Sequence, residues 1–444
     1  MQLTRCSVVV AVAAALGGCA TTRVAGPESV ARLERARAAN PSAEPVLRSL
    51  GIVYYKAGRI PEARSVLERA VAIDPRDGTA SLYLGLAAEA QKDVAGARTA
   101  YSSYVRHGRT ARIRRTLEAR LAALQRQEIE ETAKTQILEE QRLASLPGTP
   151  NVVAVMPLAF SGPDTSLKPL ERGFAELLTV DLARSSRLTV VERIRIQAII
   201  DELKLQQSGA TDAGTNVRAG KIVQAGRLVQ GSIVQAGQQL RVDAAVIDVP
   251  TTRVAGSTND DRTLDQLLTL EKNIALGLFA QMGVTLTTAE RNAIEQRPTR
   301  SLAAFLAYSR GLLLEDDGRF TEADEFYRTA VRLDPGFAAA RQRSRQAQNI
   351  VVGSQLTAAS IESGLTGTPE GRIADRAMVG LTGGDASAAL SAAAAVNPSA
   401  AGAATASAAG ALTVPPVRDP VSAGIGVENP GQKTARIEIV VKRP

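Results

Sequence analysis

Small and apolar residues recur at helical spacing near the N-terminus, and they repeat with a fixed step. Gly51 and Gly85 are 34 residues apart, and so are Ala63 and Ala97. A step of this size holds two short helices and a turn. Small residues at the repeated positions allow two antiparallel helices to approach closely. The pattern therefore predicts helical hairpins over residues 19–112, and the same spacing returns much further along the chain.

These positions resemble the tetratricopeptide repeat (TPR) pattern. The matching residues of the first unit are Leu47, Gly51, Tyr54, Ala63, Leu67, Ala70 and Pro75. The second unit keeps Gly85 and Ala97, and a unit within residues 300–349 has Gly311, Ala323, Tyr327, Ala330 and Pro335. In this pattern the large side chains fill the space between two helices, and the proline ends the second helix. The resemblance implies either a concave groove that binds a protein or peptide or a plain packing scaffold, and both alternatives stay open.

One helix is predicted to connect two domains. Residues 113–147 are rich in Arg, Glu, Gln, Leu and Ala, which favour a continuous helix. The helix ends at Pro147-Gly148, a pair that indicates a domain boundary. We expect it to act as a spacer or as a packing face against the next domain.

From residue 150 the pattern changes to strands that alternate with helices. The predicted strands are "VVAVMPL", "LTVVER", "GRLVQGSIV" and "QLRVDAAVIDV", and a tight hairpin at Gln235–Gln238 joins the last two. Amphipathic helices are predicted between them and over Asp265–Gln281. Such alternation predicts a layered α/β domain over residues 150–285. The fold class is therefore multidomain α and α/β, with helical hairpins on both sides of the layered domain.

Four segments of this domain resemble the periplasmic domain of the curli-assembly CsgG family. They are "VAVMPLAF", "VVERIRIQAIIDELKLQQSG", "GRLVQGSI" and "RVDAAVIDVPTTRVAG". The most specific segment contains Glu192-Arg193 and Gln207-Ser208-Gly209. A looser similarity links the domain to the N-terminal domain of TolB-like periplasmic proteins. The CsgG resemblance implies a role in curli production, assembly or transport.

The CsgG resemblance also implies a channel whose subunits insert β-hairpins into a membrane. Each strand of such a hairpin needs about 9–11 residues. Only Gln235–Gln238 and Asn259–Arg262 stand at the two corresponding positions of this chain. These connections are too short, so the fold does not by itself imply the pore.

The N-terminus has the pattern of an export signal. A positive charge precedes an unbroken apolar run over residues 8–16, which is shorter than the roughly 20 residues of a transmembrane helix. The following "LGGC" resembles the bacterial lipobox. It implies a signal peptide over residues 1–18, cleavage between Gly18 and Cys19, and lipid attachment at Cys19. Two or more acyl chains anchor stably, and Ala20 favours the outer membrane, with the body of the protein facing the periplasm.

Composition argues against most enzyme chemistry. The net charge is +8, but Lys and Arg are interleaved with Asp and Glu as on solvated helix faces, so nucleic acid is not an expected partner. With Cys6 in the signal and Cys19 carrying lipid, the mature chain has no cysteine for a thiolate site. The single histidine, His107, is predicted at an exposed helix end. We therefore expect no catalytic residues, no metal site and no cofactor.

The C-terminal part loses its periodic pattern. Residues 350–444 are predicted as a low-complexity tail because the Ala, Gly, Ser and Pro residues offer too little apolar bulk to offset chain entropy. Near its end, Ile437, Ile439 and Val441 alternate with other residues and predict a strand over 436–442. This strand would add to a sheet edge in the same molecule or in a partner. A frayed end is the alternative.

These features predict a non-enzymatic outer-membrane lipoprotein that acts as a periplasmic adaptor or scaffold in envelope assembly or secretion. The expected partners are proteins or peptides in the TPR groove and the membrane, through the lipid anchor, with a homo-oligomer as a further expectation. The alternative is a component of a CsgG-type oligomeric secretion channel for curli-like fibres.

Overall fold

Paired helices form the N-terminal part of the computed structural model, which describes residues 27–206 and 213–379. The first five helices are α1 (Pro27–Ala39), α2 (Glu44–Lys56), α3 (Ile60–Ile73), α4 (Gly78–Ala90) and α5 (Val94–His107). The turns between them are tight: Gly58 adopts a φ of 74°. The side chains of Asp77 and Asp93 accept hydrogen bonds from the first turns of α4 and α5. The pairs α2–α3 and α4–α5 are successive helical hairpins.

The helix that follows the hairpins packs on both neighbouring parts of the chain. It consists of α6 (Ala111–Leu138) and the short α7 (Glu140–Ser145). α6 contacts α5 on one side and helices of the later domains on the other, so it is a packing face. The prediction of an unbroken helix over 113–147 is wrong at Glu139, where α6 ends. After the break, α7 places the side chain of Leu143 in the core of the α/β domain, where it is buried.

A single mixed sheet forms the centre of the α/β domain. Its elements are β1 (Thr149–Val155), β2 (Ala159–Ser161), α8 (Leu170–Leu182), β3 (Thr189–Val190), α9 (Arg193–Gln206), α10 (Ala213–Ile222), β4 (Ala225–Ala236), β5 (Gln239–Asp248), β6 (Arg253–Thr263) and α11 (Leu267–Gln281). The strand order is β3-β1-β4-β5-β6, and β2 pairs with β4. β1 runs parallel to β3 and β4, whereas β4, β5 and β6 are antiparallel. α8 and α11 cover one face and α9 and α10 the other, which confirms the predicted layered α/β fold class.

The strand β6 was not predicted. Residues Asn259–Arg262, expected to be a connection, lie inside β6 and pair with β5. The sequence of this strand is polar and therefore lacks an apolar alternation. Small residues allow α11 to pack closely on this strand. Gly256 lies against Gln281, and Thr258 lies against Gly277.

The C-terminal helices extend further than the sequence indicates. They are α12 (Thr288–Glu295), α13 (Leu302–Asp316), α14 (Phe320–Leu333), α15 (Ala338–Ser354), α16 (Ala358–Ser363) and α17 (Pro369–Val379). The predicted low-complexity tail over 350–444 is therefore wrong for residues 350–379, apart from the short connections between these helices. α16 and α17 are stabilised by packing on the N-terminal hairpins, a contact that local periodicity cannot reveal.

Two of the hydrophobic cores join distant parts of the chain. The first contains side chains of the sheet, of α8 and α11, and of the hairpin α13–α14. The second contains the N-terminal hairpins together with α16 and α17. The C-terminal hairpin is thus part of the body of the α/β domain. Cys19 and the signal peptide, Gln207-Ser208-Gly209 and the strand predicted over 436–442 lie outside the described residues.

Candidate functional site

The TPR-like positions lie where the two helices of each hairpin touch. A Cβ atom added to Gly51 or Gly85 would lie closer than 3.0 Å to the side chain of Leu67 or Tyr101, and one added to Gly311 would lie 2.5 Å from the ring of Tyr327. The other predicted packing positions that are buried are Leu47, Tyr54, Ala63, Leu67, Ala70, Ala97, Ala323, Tyr327 and Ala330. The two prolines, Pro75 and Pro335, are exposed just beyond the helix ends.

The surface formed by α2 and α4 is the candidate groove. These are the first helices of the two hairpins, and the rings of Tyr55 and Tyr83 meet there edge to face, with centroids 5.7 Å apart. Burial raises the pKa of both tyrosines, and the nearby carboxylate of Glu362 adds to the effect. Glu362 belongs to α16, so this surface is already covered by a segment of the same chain.

A buried network of charges joins the α/β domain to the C-terminal hairpin. Arg193, the first residue of α9, donates from Nε to Glu176 Oε2 at 3.0 Å and from a terminal nitrogen to both carboxylate oxygens of Asp316 at 2.6 and 2.7 Å. Arg343 on α15 donates to Glu176 Oε1 at 2.7 Å and to Glu315 Oε1 at 2.8 Å. Four helices, α8, α9, α13 and α15, therefore meet at one cluster, which we call the charged joint (Glu176, Arg193, Glu315, Asp316 and Arg343).

Glu176 and the two arginines of the charged joint remain ionised over the physiological pH range. Burial alone would raise the pKa of Glu176, but Arg343 and Arg193 lower it to about 2. Burial would lower the pKa of Arg193, and Asp316 and Glu176 reverse that effect and raise it. A site for general acid–base catalysis needs a pKa near the working pH. The charges of the joint instead hold one another in fixed positions.

A second buried cluster lies beneath the sheet, between α8 and α11. Lys272 Nζ lies 2.5 Å from Asp181 Oδ2 and 3.1 Å from Glu271 Oε2. Burial, followed by the charge of Asp181, raises the pKa of Glu271 to about 8. The pKa of Asp181 is raised by burial as well, so the two carboxyl groups and Lys272 titrate as one coupled cluster.

The sheet ends in one long open edge. β4 and β5 are joined by a two-residue turn at Gly237-Gln238, which makes Ala236 and Gln239 a hydrogen-bonded pair. Bonded and non-bonded pairs alternate along an antiparallel ladder. Alternate residues of β5 therefore bond to β4 and to β6. By the register of β5 with β6, the backbone groups of Ser257, Asn259 and Asp261 point away from the sheet. All three residues are exposed, and in the described part of the chain β6 has a strand on one side only.

The single histidine and two pairs of adjacent acidic residues lie on different elements. His107 is exposed at the last position of α5. Asp201 and Glu202 lie on α9, whereas Asp260 and Asp261 lie on β6. Within residues 27–206 and 213–379, no group of three or more His, Cys, Asp or Glu side chains is placed to hold a metal ion.

Comparison with protein-family models finds matches in three parts of the chain. Residues 27–77 and 48–112 match a tetratricopeptide repeat model, and residues 306–337 match another. Residues 149–265 match the model of the curli production assembly/transport component CsgG. The chain combines TPR units with a CsgG domain. A search of curated proteins finds no match to it.

The two kinds of domain indicate the general role of the protein. TPR units indicate protein–protein interaction, and the CsgG domain indicates curli-type secretion or assembly. The CsgG family is associated with the cell envelope or the outer membrane. Among the described helices, none is both long enough and apolar enough to cross a bilayer. The looser similarity to TolB-like proteins stays a prediction.

The charged joint is the feature that sequence reasoning missed. Arg193 was noted as part of a specific segment, but its partners Glu176 and Asp316 are 17 and 123 residues away along the chain. Glu176, Asp316 and Arg343 are ordinary polar positions of amphipathic helices when the sequence is considered alone. One feature of the sequence could have indicated that Arg193 is buried. It lies directly before the apolar residues of α9.

Proposed function

We propose that this protein is a non-enzymatic outer-membrane lipoprotein whose body lies in the periplasm and acts as an adaptor in envelope assembly or secretion. The TPR units supply the interaction surfaces, and the CsgG domain supplies the link to curli-type assembly. Lipid at Cys19 holds the adaptor at the membrane.

The charged joint is the observation that carries the adaptor proposal. It fixes the C-terminal TPR hairpin to the CsgG domain through Arg193 and Arg343. On the other side, α6 packs against α5, α9 and α15 and so links the N-terminal hairpins to the same body. An adaptor requires its docking surfaces to be held at fixed positions relative to one another, and these contacts supply that rigidity.

The alternative function, a channel subunit for curli-like fibres, is favoured by the CsgG match itself. Against it stand the short connections where membrane hairpins are expected, since a two-residue turn joins β4 to β5 and only residues 264–266 separate β6 from α11. The adaptor and the channel predict different neighbours at the open edge of β6. An adaptor contacts another protein there, whereas a channel subunit contacts further copies of itself.

Site-specific photo-crosslinking in cells separates the two functions. A photoreactive residue at Asn259, exposed on the β6 edge, is expected to give an adduct with a different protein. The same residue at Lys134, exposed on α6, serves as the matched control and is expected to give no such adduct. Ladders of self-adducts at Asn259, together with discrete conductance steps of the purified protein in planar bilayers, would instead establish the channel.

Replacing Cys19 with serine is expected to remove the protein from the outer membrane. Without a thiol there is no site for the lipid, so the protein stays as an unprocessed precursor or becomes free in the periplasm. Membrane fractionation and mass analysis of the N-terminus measure this result. Cys6→Ser, which changes the other cysteine, is the control and is expected to leave the mature lipoprotein in place. A Cys19→Ser protein that is processed and retained in the outer membrane would refute the anchor.

A further inference from the structure

Two C-terminal helices cover the groove of the N-terminal TPR hairpins. α16 packs on α4, and α17 packs on α2 and α1. The side chains of Ile361, Leu365, Ala374, Ala377 and Met378 are buried in the same core as the hairpins. We call residues 358–379 the groove segment. It lies on the first helices of the hairpins, where a binding groove is expected.

The second helix of the groove segment, α17, is amphipathic and turns its buried face towards the N-terminal hairpins. In α17 the buried positions are Glu370, Gly371, Ala374, Ala377 and Met378. These positions are spaced as one stripe of a helix. The opposite face, with Arg372, Asp375 and Arg376, is exposed. The small residues of the stripe allow the helix to lie close to α2.

Polar contacts fix the direction of the groove segment. Lys56 Nζ at the end of α2 lies 2.7 Å from Glu362 Oε1. At the other end, the hydroxyl groups of Tyr104 and Thr110 donate to the two carboxylate oxygens of Glu370 at 2.7 and 2.8 Å. The groove therefore recognises an apolar stripe with an acidic side chain at its start.

One buried acidic side chain of the groove segment, Glu370, is held by neutral donors. Glu370 is buried, yet within the described residues it forms no ion pair with a lysine or arginine. Burial of a carboxylate that has only neutral donors costs free energy. Only residues 355–357 connect α15 to the groove segment, so a released segment would stay close to the groove.

We infer that the groove segment is an intramolecular ligand that closes the N-terminal TPR groove, and that the protein partner of this groove is an amphipathic helix with the same pattern. That helix carries a carboxylate at its start and small or flexible apolar residues four, seven and eight positions later, in place of Glu370, Ala374, Ala377 and Met378. The inference that a protein partner binds this groove rests on the proposed adaptor function. The closure of the groove does not.

The test measures binding of a labelled synthetic peptide with the sequence of residues 367–379 to the purified full chain. In the wild-type protein the tethered segment has an effective concentration in the millimolar range and excludes the peptide. Ala377→Arg places a charge in the buried stripe and is expected to release the segment, so that the peptide binds at least about tenfold more tightly in fluorescence anisotropy. Asp375→Arg adds the same side chain at an exposed position of α17 and is the matched control, expected to bind as weakly as wild type.

Two results would overturn the inference. One is a folded Ala377→Arg protein that binds the peptide no more tightly than the control. The other, which also applies if that variant does not fold, comes from amide hydrogen exchange of the wild-type chain. The amides of residues 358–379 are expected to exchange by local opening, faster than those of α2 to α5. Exchange only through global unfolding would mean that the segment is a permanent part of the domain. Neither result bears on the crosslinking at Asn259, so the adaptor proposal is tested separately.

Discussion

Replacing Arg193 with methionine is expected to lower the free energy of unfolding by about 3–5 kcal/mol. Methionine fills much of the same volume but leaves Glu176 without one of its two arginines and removes the two shortest bonds to Asp316. Both carboxylates are buried, so their remaining charge is poorly compensated. Urea unfolding measures the loss. The chain has no tryptophan, so tyrosine emission, to which Tyr308 and Tyr327 near the joint contribute, can be followed together with circular dichroism.

The matched control for this prediction is Arg319→Met. Arg319 pairs with Glu322 on the surface, where both side chains are about half exposed. Such exposed pairs contribute about 0–1 kcal/mol. A loss of that size in Arg193→Met as well would mean that the charged joint does not hold the C-terminal hairpin on the CsgG domain.

Replacing Gly353 with alanine is expected to destabilise the protein by about 1–3 kcal/mol. The added Cβ would lie within 3.0 Å of the backbone oxygen of Ala119, at the crossing of α15 and α6. Backbone atoms cannot rotate away, so the two helices must separate. Helix propensity alone predicts the opposite sign, because alanine is more favourable than glycine in a helix by about 1 kcal/mol. The sign of the change therefore decides whether the crossing is this close.

Gly220→Ala is the control for the helix crossing. Gly220 is also a buried glycine within a helix, α10, but its added Cβ would be 3.4 Å from the nearest atom, a side-chain carbon of Val249. We expect this variant to be as stable as wild type or more stable. The thermal unfolding midpoints of both variants can be compared in one experiment. A raised midpoint for both would show that α6 and α15 are not in close contact.

Local patterns in the sequence were sufficient to predict the separate units. The 34-residue step placed glycine and alanine at the contacts of the hairpins, because only small residues allow helices to approach that closely. The alternation of strands and helices predicted the layered α/β domain for a similar reason, since each element buries one face against its neighbours. Each repeat unit, strand and helix is marked by residues close to one another along the chain, which is why these units can be recognised without a structure.

Only the tertiary structure decided how the units are joined. The charged joint consists of side chains up to 167 residues apart, and each of them looks like a solvated polar position in its own helix. β6 is polar because it is an edge strand, so no apolar alternation marks it.

The groove segment shows most clearly the difference between what the sequence predicts and what the tertiary structure decides. Its stripe of Gly371, Ala374 and Ala377 is too small to appear hydrophobic in the sequence, and it resembles the beginning of the Ala-rich tail. The segment is ordered because α2 and α4 supply the apolar surface that it lacks. The sequence thus determined which units form, whereas contacts between residues distant along the chain decided where each unit lies and which surface stays open.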